Sequence, residues 1–523
     1  MGSFCCKDEG AIEKVLTQDT LARHLVRDKH QEVSAKYDVV ELIGKGSIST
    51  ISKIRRRVPC DSTCEDKDRD TTIREINLTS RSNQELKKLE SSSINEFYAL
   101  KEIDLGMISQ STIDELKNEI DILSSLDHPN IIKVYETYHI KRKTSLVMEL
   151  CQGDDVFSKY PYSESTVCLI VKQILSALVY LHDRNIVHRD IKCENIMFVT
   201  DAKDDYTVKI IDFGLAKKFQ YHWNVMHERV GTIYSMAPEV MNGGYSGSQS
   251  DMWSTGVITY MMLSGQKPFW GKTPKEVIQL IKKGKVNMDI PIWKTISHDA
   301  IDFVTQLLRI DPDSRLTAHA ACIHPFIRRT KTLSNITPDP ELLRKVKDNL
   351  ARYANSCDVK KIALMVIANK LSTQEIFDLR NIFYEFDTSN DGMITFEELK
   401  KALSRSSYTE KELHAIFKSI DVNHTGSILY TEFLAASLEA KGNIHRHRLA
   451  EAFEELDDDH SGFISKDDLR KFLPETVTDL ELENLIKEAD NEDHDGKISF
   501  DEFQDCILND CRQQISHLYN ESV

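Results

Sequence analysis

The sequence predicts an α+β fold built in more than one domain, and three observations lead there. Short strand-like segments gather in the first 151 residues, clearest at Tyr37–Ile43, Phe97–Lys101 and Ser145–Cys151. Helical spacing is interleaved with them and then takes over, in Ile113, Leu116, Ile120 and Leu123 and again from Val167 to His182. Near the C-terminus, loops of one acidic pattern recur at starts 387, 421, 457 and 491, close to a 35-residue period. Each lies between helical stretches, so that region reads as all-α.

A chain of 523 residues is long enough for two or three domains, each with its own core. No run of 18 apolar residues suggests a membrane span, and no apolar segment after the N-terminus suggests secretion. The eleven cysteines show no framework spacing and are expected to be free thiols of an intracellular protein. Cys60 and Cys64 lie close together, but no second pair completes a zinc site. The net charge of −16 is concentrated: Arg380 to Asp510 holds 14 basic and 31 acidic side chains. Such a field suits cations, and no basic stripe offers a nucleic-acid surface.

The chemistry centres on His188-Arg189-Asp190, with Asn195 five residues beyond Asp190 and Asp212-Phe213-Gly214 further on. Phosphoryl transfer needs a hydroxyl held in line with the γ-phosphate, and metal ions to spread the phosphate charge. An Asp on a rigid loop can orient the hydroxyl and take its proton. An Asn and a second Asp can hold Mg²⁺ through oxygen. Ahead of these lies Gly44-Lys45-Gly46-Ser47, whose glycines let backbone approach phosphates closely.

In these motifs the chain resembles the eukaryotic protein kinase family, which implies a two-lobed kinase domain over 37–327. The resemblance implies Asp190 as catalytic base, with Lys192 at the γ-phosphate as in serine/threonine kinases. ATP would be held by Ile43, Gly44, Lys45, Gly46, Ser47 and Ile51, with Ser49 standing where a third glycine is usual. Lys101, paired with Glu119, would contact the α- and β-phosphates, and Asn195 and Asp212 would hold Mg²⁺. Met148 falls at the gatekeeper position, and Glu149 and Cys151 provide hinge backbone for adenine. Asp154 and Asp155 stand where relatives contact ribose or a basic substrate residue. Thr232 would bond Asp190 and Lys192, Asp251 would support the catalytic loop, and Arg315 would pair with Glu239. No activating phosphosite is evident, and Glu228 is a candidate stand-in for a phosphate near Arg189. Residues 58–95, polar and poor in large apolar side chains, read as a disordered insert.

Residues 328–372 join this domain to the acidic region. They begin with basic Arg328-Arg329-Thr330-Lys331 and continue with the helical series Leu342, Leu343, Val346, Leu350 and Tyr353 and an apolar run from Ile362 to Leu371. A calcium loop needs oxygens at positions 1, 3 and 5, a backbone carbonyl at 7, glycine at 6 and a bidentate acid at 12. The first loop has Asp387, Ser389, Asp391, Met393 and Glu398, and the second Asp421, Asn423, Thr425, Ser427 and Glu432. The third has Asp457, Asp459, Ser461, Phe463 and Asp468, whose shorter last acid weakens calcium binding and admits Mg²⁺. The fourth has Asn491, Asp493, Asp495, Lys497 and Glu502, with Asp490 able to serve in first place if the loop is stretched. Ile394, Ile428, Ile464 and Ile498 fill position 8, which suits strands pairing the loops two by two.

With these loops the resemblance narrows to calcium-dependent protein kinases, which fuse a kinase to a calmodulin-like domain. It implies an α+β chain: a two-lobed protein kinase domain, then an autoinhibitory junction over 328–372, then an all-α calmodulin-like domain of four EF-hands over 373–510, with a tail over 511–523. It implies a calcium-activated enzyme that passes the ATP γ-phosphate to protein Ser/Thr hydroxyls, the calmodulin-like domain gripping the junction helix when calcium binds. ATP, Mg²⁺ and Ca²⁺ are the expected cofactors. The extension over 1–36 starts with Gly2, Cys5 and Cys6, candidates for myristate and palmitate, so a cytoplasmic protein with a membrane-anchored fraction is expected. A kinase-dead calcium sensor is the main rival, and retention of Lys101, Asp190, Asn195 and Asp212 argues against it. A kinase needing separate calmodulin is the second, and the internal loops make that redundant.

Overall fold

The computed structural model describes residues 25–29, 32–46, 49–57, 97–107, 109–140, 142–219, 230–243, 247–329, 338–404, 406, 408–442, 444–473 and 477–508. The expected insert over 58–95 lies outside them, as do Gly2, Cys5, Cys6, Ser47 and Glu228. The chain divides into two compact units, one formed by Arg27–Ile113 with Val134–Leu150, the other by the remainder.

The first unit is a six-stranded sheet in the order β1-β5-β6-β4-β3-β2. Its strands are β1 (Arg27–Lys29), β2 (Tyr37–Lys45), β3 (Ser49–Arg56), β4 (Phe97–Asp104), β5 (Val134–Ile140) and β6 (Lys143–Glu149). Tyr37, Ile54, Tyr98, Leu100, Tyr135, Tyr138 and Val147 form its buried core. The edge strand β1 falls inside the stretch read as an extension. It pairs in parallel with β5, Asp28 opposite Thr137. Its anchor is polar: the fully buried Glu136 meets Lys36 Nζ at 2.5 Å and Lys29 Nζ at 3.5 Å, and accepts hydrogen bonds from the hydroxyls of Tyr37 and Tyr138 at 2.9 and 2.8 Å. A buried carboxylate is tolerated when its lone pairs are taken up in this way.

Helix α1 (Gln110–Ser124), of which Asp114–Ser124 belong to the second unit, buries Leu116, Glu119, Ile122 and Leu123. The helix α2 (Glu164–Asp183) is capped by Ser163 and buried at every residue from Val167 to Leu181. By length and composition this helix could cross a membrane, but its apolar surface is spent on the core of its own lobe. Two short ladders flank the catalytic loop, β7 (Ile186–Val187) with β10 (Lys217–Lys218), and β8 (Ile196–Phe198) with β9 (Val208–Ile210). After α3 (Pro238–Asn242), helix α4 (Ser248–Ser264) is buried along almost its whole length, with Trp253 stacked on Phe269 at 5.6 Å. Then follow α5 (Pro274–Lys283), α6 (His298–Leu307), α7 (Ala318–Cys322) and α8 (Pro325–Arg328).

The junction forms α9 (Pro340–Asn355) and α10 (Asp358–Lys370). Val346, Leu350 and Tyr353 of α9 and Ile362 to Ala368 of α10 belong to one apolar core with the C-terminal helices. Four helix–loop–helix units enclose them: α11 (Phe377–Phe386) with α12 (Phe396–Ala402), α13 (Glu410–Ile420) with α14 (Tyr430–Ser437), α15 (Arg446–Leu456) with α16 (Lys466–Phe472), and α17 (Asp479–Ala489) with α18 (Phe500–Leu508). The expected isoleucine pairing is present: Ile394 lies opposite Ile428, and Ile464 opposite Ile498.

Candidate functional site

In the sheet unit, Gly44 lies opposite Ile51 in the β2–β3 ladder, and the Gly46 N–H donates to the Ser49 carbonyl at 2.8 Å. Lys101 lies opposite Ile51 on one side and Leu146 on the other. Met148 and Glu149 end β6, where the chain leaves the sheet.

The catalytic loop belongs to the second unit. Arg189 and Asp212 take left-handed backbone conformations, φ 68° and 61°, which few side chains adopt without support. At Arg189 Asp251 supplies it, accepting the backbone N–H groups of His188 at 3.0 Å and Arg189 at 2.9 Å. The His188 ring packs against Phe213 at 4.7 Å, and burial holds this imidazole below its ordinary pKa.

Asp190 is buried and held on both carboxylate oxygens. Oδ1 accepts the Thr232 hydroxyl at 2.9 Å and its N–H at 3.0 Å, and Oδ2 meets Lys192 Nζ at 2.6 Å. Lys192 also donates to Thr232 at 3.2 Å, so the three expected partners form one closed set. Asn195 donates its amide to the Asp190 carbonyl at 2.9 Å, which leaves its side-chain oxygen as the atom suited to a cation. Asn118 on α1 donates to the Ala216 carbonyl at 2.8 Å, and a Cβ placed on Gly214 would lie 3.5 Å from Glu119 Oε2. Behind the site Arg315 clasps Glu239 through two bonds, 2.6 and 3.0 Å. Asp155 is occupied locally, accepting the N–H groups of Phe157 and Ser158. Tyr234, not singled out from sequence, donates its hydroxyl to Glu194 beside the catalytic loop.

In the first three acidic loops the position-6 glycine donates to the position-1 aspartate at 2.9 Å: Gly392 to Asp387, Gly426 to Asp421 and Gly462 to Asp457. In the fourth, Gly496 donates to Asp490 at 2.9 Å. Asn491, expected at the first place, is exposed and bonds the Glu488 carbonyl instead. This corrects the assignment: Asp490 opens the loop, and one additional residue is accommodated before His494. The His494 backbone is left-handed like Asn390, His424 and His460 in the other loops.

The last acids differ as their lengths suggest. Glu398 bridges the Ser389 N–H at 2.7 Å and the Thr395 N–H at 2.9 Å, and Glu432 and Glu502 bridge their loops in the same manner. Among the described residues, the Asp468 carboxylate bonds only Ser465 at its own helix start. The donor sets fit a divalent cation. Burial, with Asp391 and Glu398 nearby, pushes the Asp387 carboxyl well above the usual range, and burial raises Glu432 likewise. Among the described residues, the buried Asp490 Oδ1 has no hydrogen-bond partner. Carboxylate oxygens of Asp457, Asp459 and Asp468 lie within 4.8 Å of one another, as do those of Asp490, Asp493 and Asp495. Cation binding would offset such crowded negative charge.

The first two loops also touch the catalytic lobe. A Cβ on Gly392 would fall 2.0 Å from His128 Nε2, and the Arg184 guanidinium lies 3.7 Å from Met393 Sδ. Nothing in the sequence pattern pointed to these contacts.

Comparison with known proteins agrees with this geometry. A protein kinase domain model matches residues 84–327, and an EF-hand domain pair model matches twice, at 376–438 and 446–508. The chain is 37% identical over 401 residues to "Calcium-dependent protein kinase 5" of Plasmodium falciparum (isolate 3D7), covering 75% of this chain and 70% of the relative. It is 35% identical over 405 residues to "Calcium-dependent protein kinase 11" of Oryza sativa subsp. japonica, covering 76% and 69%. To "Calcium-dependent protein kinase 9" of Arabidopsis thaliana it is 34% identical over 428 residues, covering 79% and 76%.

Proposed function

The chain belongs to the calcium-dependent protein kinases, a calcium-regulated serine/threonine kinase with EF-hand pairs of its own, and from that premise we propose how its residues divide the work. Asp190 orients the substrate hydroxyl and takes its proton, while Thr232 holds the carboxylate in place and Lys192 steadies the γ-phosphate. Lys101 steadies the other phosphates, the Gly44–Gly46 turn covers them, and the backbone of Glu149 and Cys151 takes adenine. Asn195 and Asp212 would hold Mg²⁺, which when bound spreads the phosphate charge. The closed set Asp190–Lys192–Thr232 carries this reading.

Each of the four acidic loops would take calcium, the third more weakly because Asp468 is one methylene short. The junction is the switch: without calcium, α9 occupies or distorts the catalytic cleft, and with calcium the C-terminal helices hold it. The shared apolar core of α9, α10 and those helices supports the second state. Moving such an equilibrium from 1:99 to 99:1 takes about 5.5 kcal/mol of differential binding, within reach of several cooperating sites. Gly2, Cys5 and Cys6 would carry the lipids of a membrane-anchored fraction.

Phosphotransfer by the purified full chain, with calcium and with a chelator, tests the scheme. Activity with calcium, silence with chelator, and activity without calcium in a chain ending at residue 327 are expected. A shortened chain as silent as the chelated whole would remove the junction's inhibitory role, and silence under all conditions would leave a calcium-sensing scaffold.

A further inference from the structure

Cys357 is the N-cap residue of α10, the second junction helix, and Cys506 lies in α18, the last helix described. Both are buried, at 3% and 1% exposure, and their sulfurs are 3.4 Å apart across 149 residues of chain. A disulfide separates its sulfurs by about 2.05 Å, so this pair already approaches bonding distance. The surrounding geometry fixes the approach. The next residue, Asp358, donates its N–H to Glu488 of α17 at 3.0 Å, so the start of α10 is held by the same pair of helices that presents Cys506. A carboxylate at a helix N-terminus is itself a favourable contact.

We propose that Cys357 and Cys506 form an oxidation site, at which a peroxide converts the thiol pair to an intramolecular disulfide that bonds the junction to the last helix–loop–helix unit. One thiolate attacks a peroxide oxygen, giving a sulfenic acid and, with a proton, water. The second thiol sulfur displaces the sulfenic hydroxyl, which leaves as a second water with the remaining proton. Two thiols are oxidised, one peroxide is reduced to two waters, and the S–S bond is the only new protein bond. Hydrogen peroxide is small enough to enter where bulkier oxidants cannot. Resting on the junction switch proposed above, the consequence is that α10 cannot part from α18 when calcium is withdrawn.

The test uses the full chain. Protein in calcium is treated with hydrogen peroxide, remaining thiols are blocked, and non-reducing digestion with mass spectrometry maps the linked peptides. The expected result is a dominant Cys357–Cys506 peptide that dithiothreitol removes and that is absent in C357S and in C506A. Failure of that peptide to form in the wild-type chain, or a scatter of unrelated cysteine pairs, overturns the site without reliance on any variant. Kinase activity with and without chelator is then compared for oxidised and reduced protein. The chelator response should fall to less than about twofold after oxidation and return on reduction. A disulfide that leaves the chelator response unchanged overturns the locking role. A reduced enzyme that ignores chelator would instead overturn the junction switch, with the mapped disulfide unaffected.

Discussion

Asp127 accepts two hydrogen bonds from Thr431, its Oδ2 from the backbone N–H at 2.8 Å and its Oδ1 from the hydroxyl at 2.7 Å. Thr431 immediately precedes Glu432, the last acid of the second loop, and Lys133 adds a bond to the same hydroxyl at 3.2 Å. The acid proposed to close the second calcium loop is therefore one peptide bond from an anchor on the catalytic lobe. Asp127→Ala, Thr431→Val and the double variant, compared by thermal unfolding, should show a coupling energy of ~1 kcal/mol. Additive effects would mean that the pair contributes nothing as a pair.

Thr232 is expected to act on turnover through Asp190. In Thr232→Val, Asp190 Oδ1 loses the hydroxyl bond and keeps the N–H bond. We expect kcat to fall roughly 10–100-fold with KM for ATP held within about twofold, against a loss of ~10²–10⁴-fold in Asp190→Asn. Steady-state kinetics at saturating calcium measures both. A Thr232→Val enzyme with normal kcat would show that the Thr232 N–H, Lys192 and Asn195 position the carboxylate without the hydroxyl.

The fourth loop offers a direct comparison of neighbours. Asp490→Asn should weaken calcium binding at that loop by tenfold or more, an effect of about 1.4 kcal/mol, whereas Asn491→Ala should leave it unchanged. Calorimetric titration of each variant decides this. The reverse pattern would restore Asn491 to the first position.

This is also where reading the sequence reached its limit. The motif residues were legible because proton transfer and metal holding dictate both residue type and spacing, and Thr232 meets Asp190 and Lys192 as expected. Counting twelve positions back from Glu502 lands on Asn491, since a count cannot show where backbone absorbs an added residue. β1 was invisible for another reason. Arg27-Asp28-Lys29 has no apolar alternation, and its partners on β5 lie more than a hundred residues away. The contacts of His128 with Gly392 and of Asp127 with Thr431 join distant segments, and neither side carries a local pattern that announces the other.

His128 makes stability depend on pH. Its Nδ1 accepts the Asn130 N–H at 3.0 Å, Nε2 lies 3.1 Å from the Ser176 hydroxyl, and burial, reinforced by Lys209 and Arg184, pulls its pKa well below 6.5. The ring stays neutral in the fold, while an unfolded chain binds a proton near pH 6.5. Its contribution is therefore complete above about pH 6.5 and is lost as pH falls toward the depressed folded value, by at most ~1.4 kcal/mol per pH unit. In His128→Asn, the unfolding midpoint should be lower at pH 7.5 but decline less steeply below pH 6.5. Parallel declines in the two proteins would rule out a neutral buried ring.

The polar strand at Arg27–Lys29 has a practical side. A recombinant chain started at Tyr37 would lack it and uncover the backbone N–H and C=O groups along one side of β5. Glu136 would also lose Lys29 and Lys36 together. Open β-edges are templates for intermolecular pairing, so such a shortened protein should precipitate or self-associate while one that retains residues 25–36 stays monodisperse.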